Sequence, residues 1–150
     1  MGLVDCCRDQ VVAVSPDTPA VDVAKIMGEK NVGSVVVVTG DNRPAGILTD
    51  RDLAVGVMAR EQNPGEVRAG DIATRSVITF QDSMGIYEAI RKMTDEGIRR
   101  MPVVDNAGKL IGIVTLDDVI RMLGEEMATI AKNIEKQSPP IQKESPPIPL

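Results

Sequence analysis

The chain has 150 residues, a formal net charge of −5 and an isoelectric point near 4.8, so it repels phosphate backbones at long range and nucleic acid is not the expected partner. It contains no histidine, one Phe, one Tyr and two adjacent cysteines, Cys6 and Cys7, which removes the usual general base near neutral pH, any Ser-His or Cys-His pair, and the stacking platforms of single-strand binders. No apolar run approaches the length of a membrane span and no leader pattern opens the chain, so a cytoplasmic protein with reduced thiols is expected.

Val11-Val12-Ala13-Val14 predicts a strand, stopped by Ser15-Pro16. Asp17-Thr18-Pro19 then supplies a capping residue and a proline for a helix, in which Ala20, Val23, Ala24 and Met27 form the apolar face. After Asn31-Val32-Gly33, the run Val35-Val36-Val37-Val38 predicts a strand buried on both faces. Gly40-Asp41-Asn42 turns the chain, Ala45 to Leu48 predicts a third strand, and Thr49 opens a helix carrying Leu53, Val55, Val57 and Met58.

A polar stretch with a Pro-Gly turn signal, Glu61 to Glu66, separates this order from its repetition. Val77 to Phe80 predicts the strand, and Ile86, Ala89, Ile90 and Met93 the helix stripe. Met101 to Val104 and Leu110 to Val114 predict the next strands, and Leu116 opens the last helix. An offset of 66 residues superposes Gly46-Ile47-Leu48-Thr49-Asp50-Arg51-Asp52 on Gly112-Ile113-Val114-Thr115-Leu116-Asp117-Asp118 without a gap. The chain is one module written twice, and each copy alone is too small to bury a comfortable core. The expected units are residues 1–62 and 63–137, followed by a disordered proline-rich tail, 138–150. In the last helix Leu123, Met127, Ile130 and Ile134 form a packing stripe, for this chain or a second copy.

No phosphate-cradling GxxxxGK or GxGxxG, nucleophile elbow or metal-ligand spacing occurs. Asp50 with Asp52, and Asp117 with Asp118, do not converge on one substrate face, so no enzyme is expected. The repeated Gly-x-x-Thr-x-x-Asp segment reads two ways. Thr with Asp three positions on is a helix cap of the capping-box type. Equally, a strand running into a helix N-terminus favours anions, the Thr hydroxyl suits a phosphate or ribose oxygen, and the Asp carboxylate suits a ribose diol.

The ungapped repeat, Asp17-Thr18-Pro19, the segment Arg99-Arg100-Met101-Pro102-Val103-Val104-Asp105 and both closing motifs resemble a tandem pair of CBS domains, the cystathionine β-synthase type, forming a Bateman module across about residues 5 to 123. The resemblance implies an α+β fold of two βαββα units packed through their sheets as a pseudo-two-fold pair, dimerised into a flat disc. It implies clefts for adenosine-containing ligands: AMP, ADP or ATP, S-adenosylmethionine or NAD. By that resemblance Thr115 and Asp118 hold phosphate and ribose in one cleft, Thr49 and Asp52 in the other. Val12, Val32, Ile78, Ile98 and Pro102 flank the adenine, their division between clefts left open.

Arg99-Arg100 stands where the first copy has Gly33-Ser34, and arginine forks suit phosphate. The cleft around Asp118 is therefore expected to bind nucleotide more tightly, and the other to stay empty or take S-adenosylmethionine. The whole is expected to be a non-enzymatic sensor with no catalytic cofactor, a homodimer that acts on a separate effector protein by population shift. The alternatives are a dimerisation scaffold without ligand and, on charge grounds less favoured, a nucleic-acid-binding regulator.

Overall fold

The computed structural model describes residues 11–75 and 77–138; Cys6, Cys7 and the proline-rich stretch 139–150 lie outside the described residues. In the first copy, β1 (Ala13–Val14) runs parallel to β2 (Ser34–Val38), with α1 (Ala20–Lys30) between them, and β2 pairs antiparallel with β3 (Pro44–Thr49). Next come α2 (Asp50–Leu53), a π-helical turn (Ala54–Met58) and α3 (Ala69–Ile72). The second copy builds the same sheet from β4 (Phe80–Gln81), β5 (Arg100–Val104) and β6 (Leu110–Thr115), with α4 (Ile86–Glu96) after β4 and α5 (Leu116–Gln137) after β6.

The repeat holds residue by residue. Ser34 faces Thr49 as Arg100 faces Thr115, and both hairpins slip register at the same place, between Val37 and Val38 and between Val103 and Val104. α1 ends at Asn31 with φ 52°, and α4 ends at Gly97 with φ 64°, the left-handed cap that asparagine and glycine tolerate best.

Three apolar clusters follow from the patterning. Val23 and Met27 of α1 meet Val14, Val35, Val37 and Leu48 in one core; Ala89 and Met93 of α4 meet Phe80, Met101, Val103 and Val114 in the other. Between them Val36 of β2 packs against Leu110 and Ile113 of β6. β2 is thus buried on both faces, as its valine run predicts, and the two sheets join there. Each valine so enclosed stabilises by roughly 1.5–3 kcal/mol.

Several local expectations are corrected. Neither Asp17 nor Thr18 caps α1: Pro19 occupies the cap position and has no side-chain acceptor. Backbone carbonyls from the segment between the copies take that role, Val67 for the Ala20 N–H at 2.8 Å and Pro64 for the Val21 N–H at 2.9 Å, while Asp17 pairs with Arg68 at 3.0 Å. The strand expected over Val77 to Phe80 forms only at Phe80–Gln81. The helix after Thr49 changes to π geometry, with the Ala59 N–H on the Ala54 carbonyl at 2.8 Å. It leaves Val55 and Met58 exposed.

α3 was not expected, because four residues are too short to show a helical period. It packs into the first core, with Ala69 fully buried and Ile72 and Ala73 alongside. Thr74 exchanges both backbone hydrogen bonds with Ile47, at 2.9 and 3.2 Å. Glycine makes room for this segment: a Cβ on Gly46 would lie 3.0 Å from the Thr74 carbonyl, and one on Gly56 3.1 Å from Ile72.

Candidate functional site

Both Gly-x-x-Thr-x-x-Asp segments end a strand and cap a helix. The Thr49 hydroxyl accepts from the Asp52 N–H at 3.2 Å, and the Asp52 carboxylate accepts from the Thr49 N–H at 2.9 Å. At the second segment the same bonds measure 3.1 and 3.3 Å, and the Thr115 hydroxyl also donates to Asp118 at 2.7 Å. Asp118 is 2% exposed, and its other oxygen accepts from Arg121 at 3.3 Å.

Around these threonines lie two clefts between the units. One, of about 250 Å³, has Thr115 and Asp117 from the second unit on one side and Val12, Val32 and Ser34 from the first on the other, with Arg99 and Arg100 in the lining. The other, of about 200 Å³, sets Thr49 and Thr74 against Ile78 and Ile98, again with Arg99 and Arg100. The lining is therefore crossed: each closing threonine faces the strand entry of the opposite unit. Face-to-face packing of β2 and β6 produces this arrangement, and sequence order alone does not reveal it.

The structure brings together Thr115, Val12, Val32, Arg99 and Arg100 in one cleft and Thr49, Ile78, Ile98, Arg99 and Arg100 in the other. Three expected site residues line neither. Pro102 is buried inside β5 opposite Ile113, and Asp52 and Asp118 are held in their caps. The expectation that Arg99-Arg100 singles out the Asp118 cleft is also corrected, because that pair lines both. Asp117 approaches Arg99 at 3.9 Å, with both side chains mostly exposed, a contact worth little in water. Among the described residues the Thr49 cleft has no carboxylate in its lining, so it is the more cationic of the two. Ser34, which the offset already pairs with Arg100, joins the Thr115 cleft; nothing in the sequence signals Thr74.

A larger apolar hollow, about 620 Å³, lies between α1 and α2. Its charged lining residues are Asp50 and Glu61, which would repel a phosphate, so volume here does not mark the nucleotide chemistry.

The CBS domain profile matches residues 3–58 and 69–125. An uncharacterized protein of Methanopyrus kandleri is 43% identical over 132 residues, covering 88% of this chain and 67% of that protein. A CBS domain-containing protein of Bacillus subtilis is 32% identical over 136 residues, covering 89% and 95%. Among solved structures, a CBS domain pair in complex with 5′-methylthioadenosine and S-adenosyl-L-methionine is similar with a TM-score of 0.74 at 25% identity, covering 84% of this chain and 98% of that one.

Proposed function

Because this chain belongs to the CBS domain family and carries two CBS domains in tandem, we propose that it is a non-enzymatic regulatory module that binds adenosine-containing ligands in the clefts between its units. One observation carries the proposal: each cleft joins a threonine at the end of one unit's third strand to apolar residues of the other unit, with two arginines alongside. Threonine hydroxyls and guanidinium forks suit phosphate and ribose oxygens, and valine and isoleucine side chains suit the faces of an adenine. The similar CBS pair solved with two adenosyl compounds supports the same ligand class.

The clefts divide the ligands by charge. The Thr49 cleft, with two arginines and no lining carboxylate among the described residues, takes the phosphorylated ligand, AMP, ADP or ATP. The Thr115 cleft, where Asp117 offsets part of the basic charge, takes a less anionic one such as S-adenosylmethionine. A ligand bridging both units favours one mutual arrangement of them, and that arrangement is what a separate effector protein reads. Among the described residues no helix is long and apolar enough to cross a membrane; the proposed setting is the cytoplasm and the proposed form a homodimer.

Calorimetric titration of the full chain with ADP and with S-adenosylmethionine tests the proposal. Saturable binding is expected, with about 2.7 kcal/mol of added stability at a hundred times the dissociation constant. No heat and no thermal shift with millimolar AMP, ATP or S-adenosylmethionine would instead favour a ligand-free scaffold. That second reading has its own support, since both motif carboxylates already serve as helix caps.

A further inference from the structure

We infer that Arg99 couples the two clefts, so that a phosphorylated ligand in the Thr49 cleft raises the affinity of the Thr115 cleft for a positively charged adenosyl ligand. The inference rests on the ligand reading above and adds a means of regulation to it. Arg99 and Arg100 are the residues that both linings share, and among the described residues neither lining holds another cation. The equivalent pair of the first copy, Gly33 and Ser34, carries no charge and lines the Thr115 cleft alone. One pair of guanidinium groups therefore serves two clefts. A guanidinium drawn to a phosphate in one is withdrawn from the other.

Arg99 is the member of the pair placed to make that exchange. Its backbone is fixed, the carbonyl accepting from the Leu116 N–H at 2.8 Å where β6 passes into α5, but its side chain is 74% exposed. Arg100 is less exposed, at the start of β5 opposite Thr115. The Arg99 guanidinium stands 3.9 Å from the Asp117 carboxylate, which is itself 80% exposed. Such a pair is held loosely and parts at little cost.

Asp117 gives the exchange its sign. Among the described residues it is the one carboxylate in the lining of the Thr115 cleft. While Arg99 stays beside it, the two charges offset each other. When the phosphates of ADP in the Thr49 cleft take Arg99, Asp117 is left uncompensated in its own cleft. S-adenosylmethionine carries a sulfonium and an ammonium group against one carboxylate, so its net positive charge suits that state, and a second polyphosphate does not. The two units need not move for this to happen. Linkage makes the effect mutual, S-adenosylmethionine raising ADP affinity by the same factor. The module then responds most strongly when both ligands are present.

The test is calorimetric titration of the full chain with S-adenosylmethionine, alone and in saturating ADP, for wild type and for Arg99→Gln. In wild type, ADP is expected to tighten S-adenosylmethionine binding about fivefold or more. Arg99→Gln is expected to bind S-adenosylmethionine with that gain already present in the absence of ADP, and ADP should add nothing further. A wild-type chain that binds both ligands with no gain in affinity, or with a loss, would overturn the coupling and leave the ligand reading standing. So would an Arg99→Gln chain whose S-adenosylmethionine affinity is unchanged, is lower, or still rises when ADP is added. No binding of one ligand or the other to wild type, alone or together, would count against the ligand reading itself and remove the coupling with it.

Discussion

Asn42 and Leu110 hold the two units together from opposite copies: the Leu110 N–H donates to the Asn42 carbonyl at 2.9 Å, and the Asn42 side-chain amide donates to the Leu110 carbonyl at 3.2 Å. Asn42 does so from a left-handed conformation, φ 63°. The offset of 66 relates these residues to Gly108 and Pro44, and proline has no N–H, so the first bond has no two-fold mate. Replacing Asn42 by Ala should lower stability by about 1–2 kcal/mol, from the lost amide bond and the left-handed strain. Asn42→Gly should lose only the bond and fall between Ala and wild type in a urea titration. Equal midpoints for all three would refute the role given to this contact.

The two caps should differ in worth. Asp52 is partly exposed, and Asp52→Ala, which removes the hydrogen bond its carboxylate accepts from the Thr49 N–H in the capping box, should cost about 1 kcal/mol. Asp118 is buried and serves Thr115 twice and Arg121 once, so Asp118→Ala should cost about 2–3 kcal/mol. Thermal unfolding of both variants without ligand measures the difference, and a smaller cost for Asp118 would contradict the hydrogen bonding described.

Nucleotide affinity should respond to Arg100 in both clefts and to the threonines one at a time. Arg100→Ala should weaken ADP binding about tenfold or more, the loss expected for a charge-assisted bond. Thr49→Val should weaken ADP while leaving S-adenosylmethionine unaffected, and Asp117→Asn should raise ADP affinity for the Thr115 cleft. Calorimetry on each variant would show whether ADP and S-adenosylmethionine respond separately; an identical response of the two ligands to Thr49→Val would rule out division by charge.

One carboxylate away from the clefts should be visible in the pH dependence. The Thr39 hydroxyl, and then Arg43 at 2.7 Å, hold the Asp41 carboxyl below its usual range. A folded-state pKa below the unfolded value, about 3.9, contributes stability above that pH and loses it as pH falls through the folded value. The stability difference between wild type and Asp41→Asn should therefore be constant from pH 7 to about pH 5 and shrink below about pH 4. Urea midpoints across that range measure it, and a difference that widens on acidification would reverse the assigned sign.

Much of the fold was legible because the repeat states each element twice. Two weak signals at one offset make a strong one, and Thr49 and Thr115 fall at matching helix starts. What stayed hidden depends on contacts between the units. The crossing that puts Val12 and Val32 with Thr115 follows from the face-to-face packing of Val36 with Ile113, which has no local signature. Pro102 matched a motif but faces inward. α3 and the π turn at Gly56 are settled by their packing on the first core, which a window of a few residues does not contain.

The placement of α3 also bears on how such a chain can be inherited. The profile of the second domain begins at residue 69, yet Ala69, Ile72 and Ala73 complete the core of the first unit. The duplicated stretch and the packed body are thus out of phase, and the segment they share belongs by ancestry to one and by contact to the other. A recombination that exchanged second domains between relatives at residue 69 would also replace part of the first domain's interior. Successful exchanges should cross over after Thr74, or bring small apolar residues to the same positions.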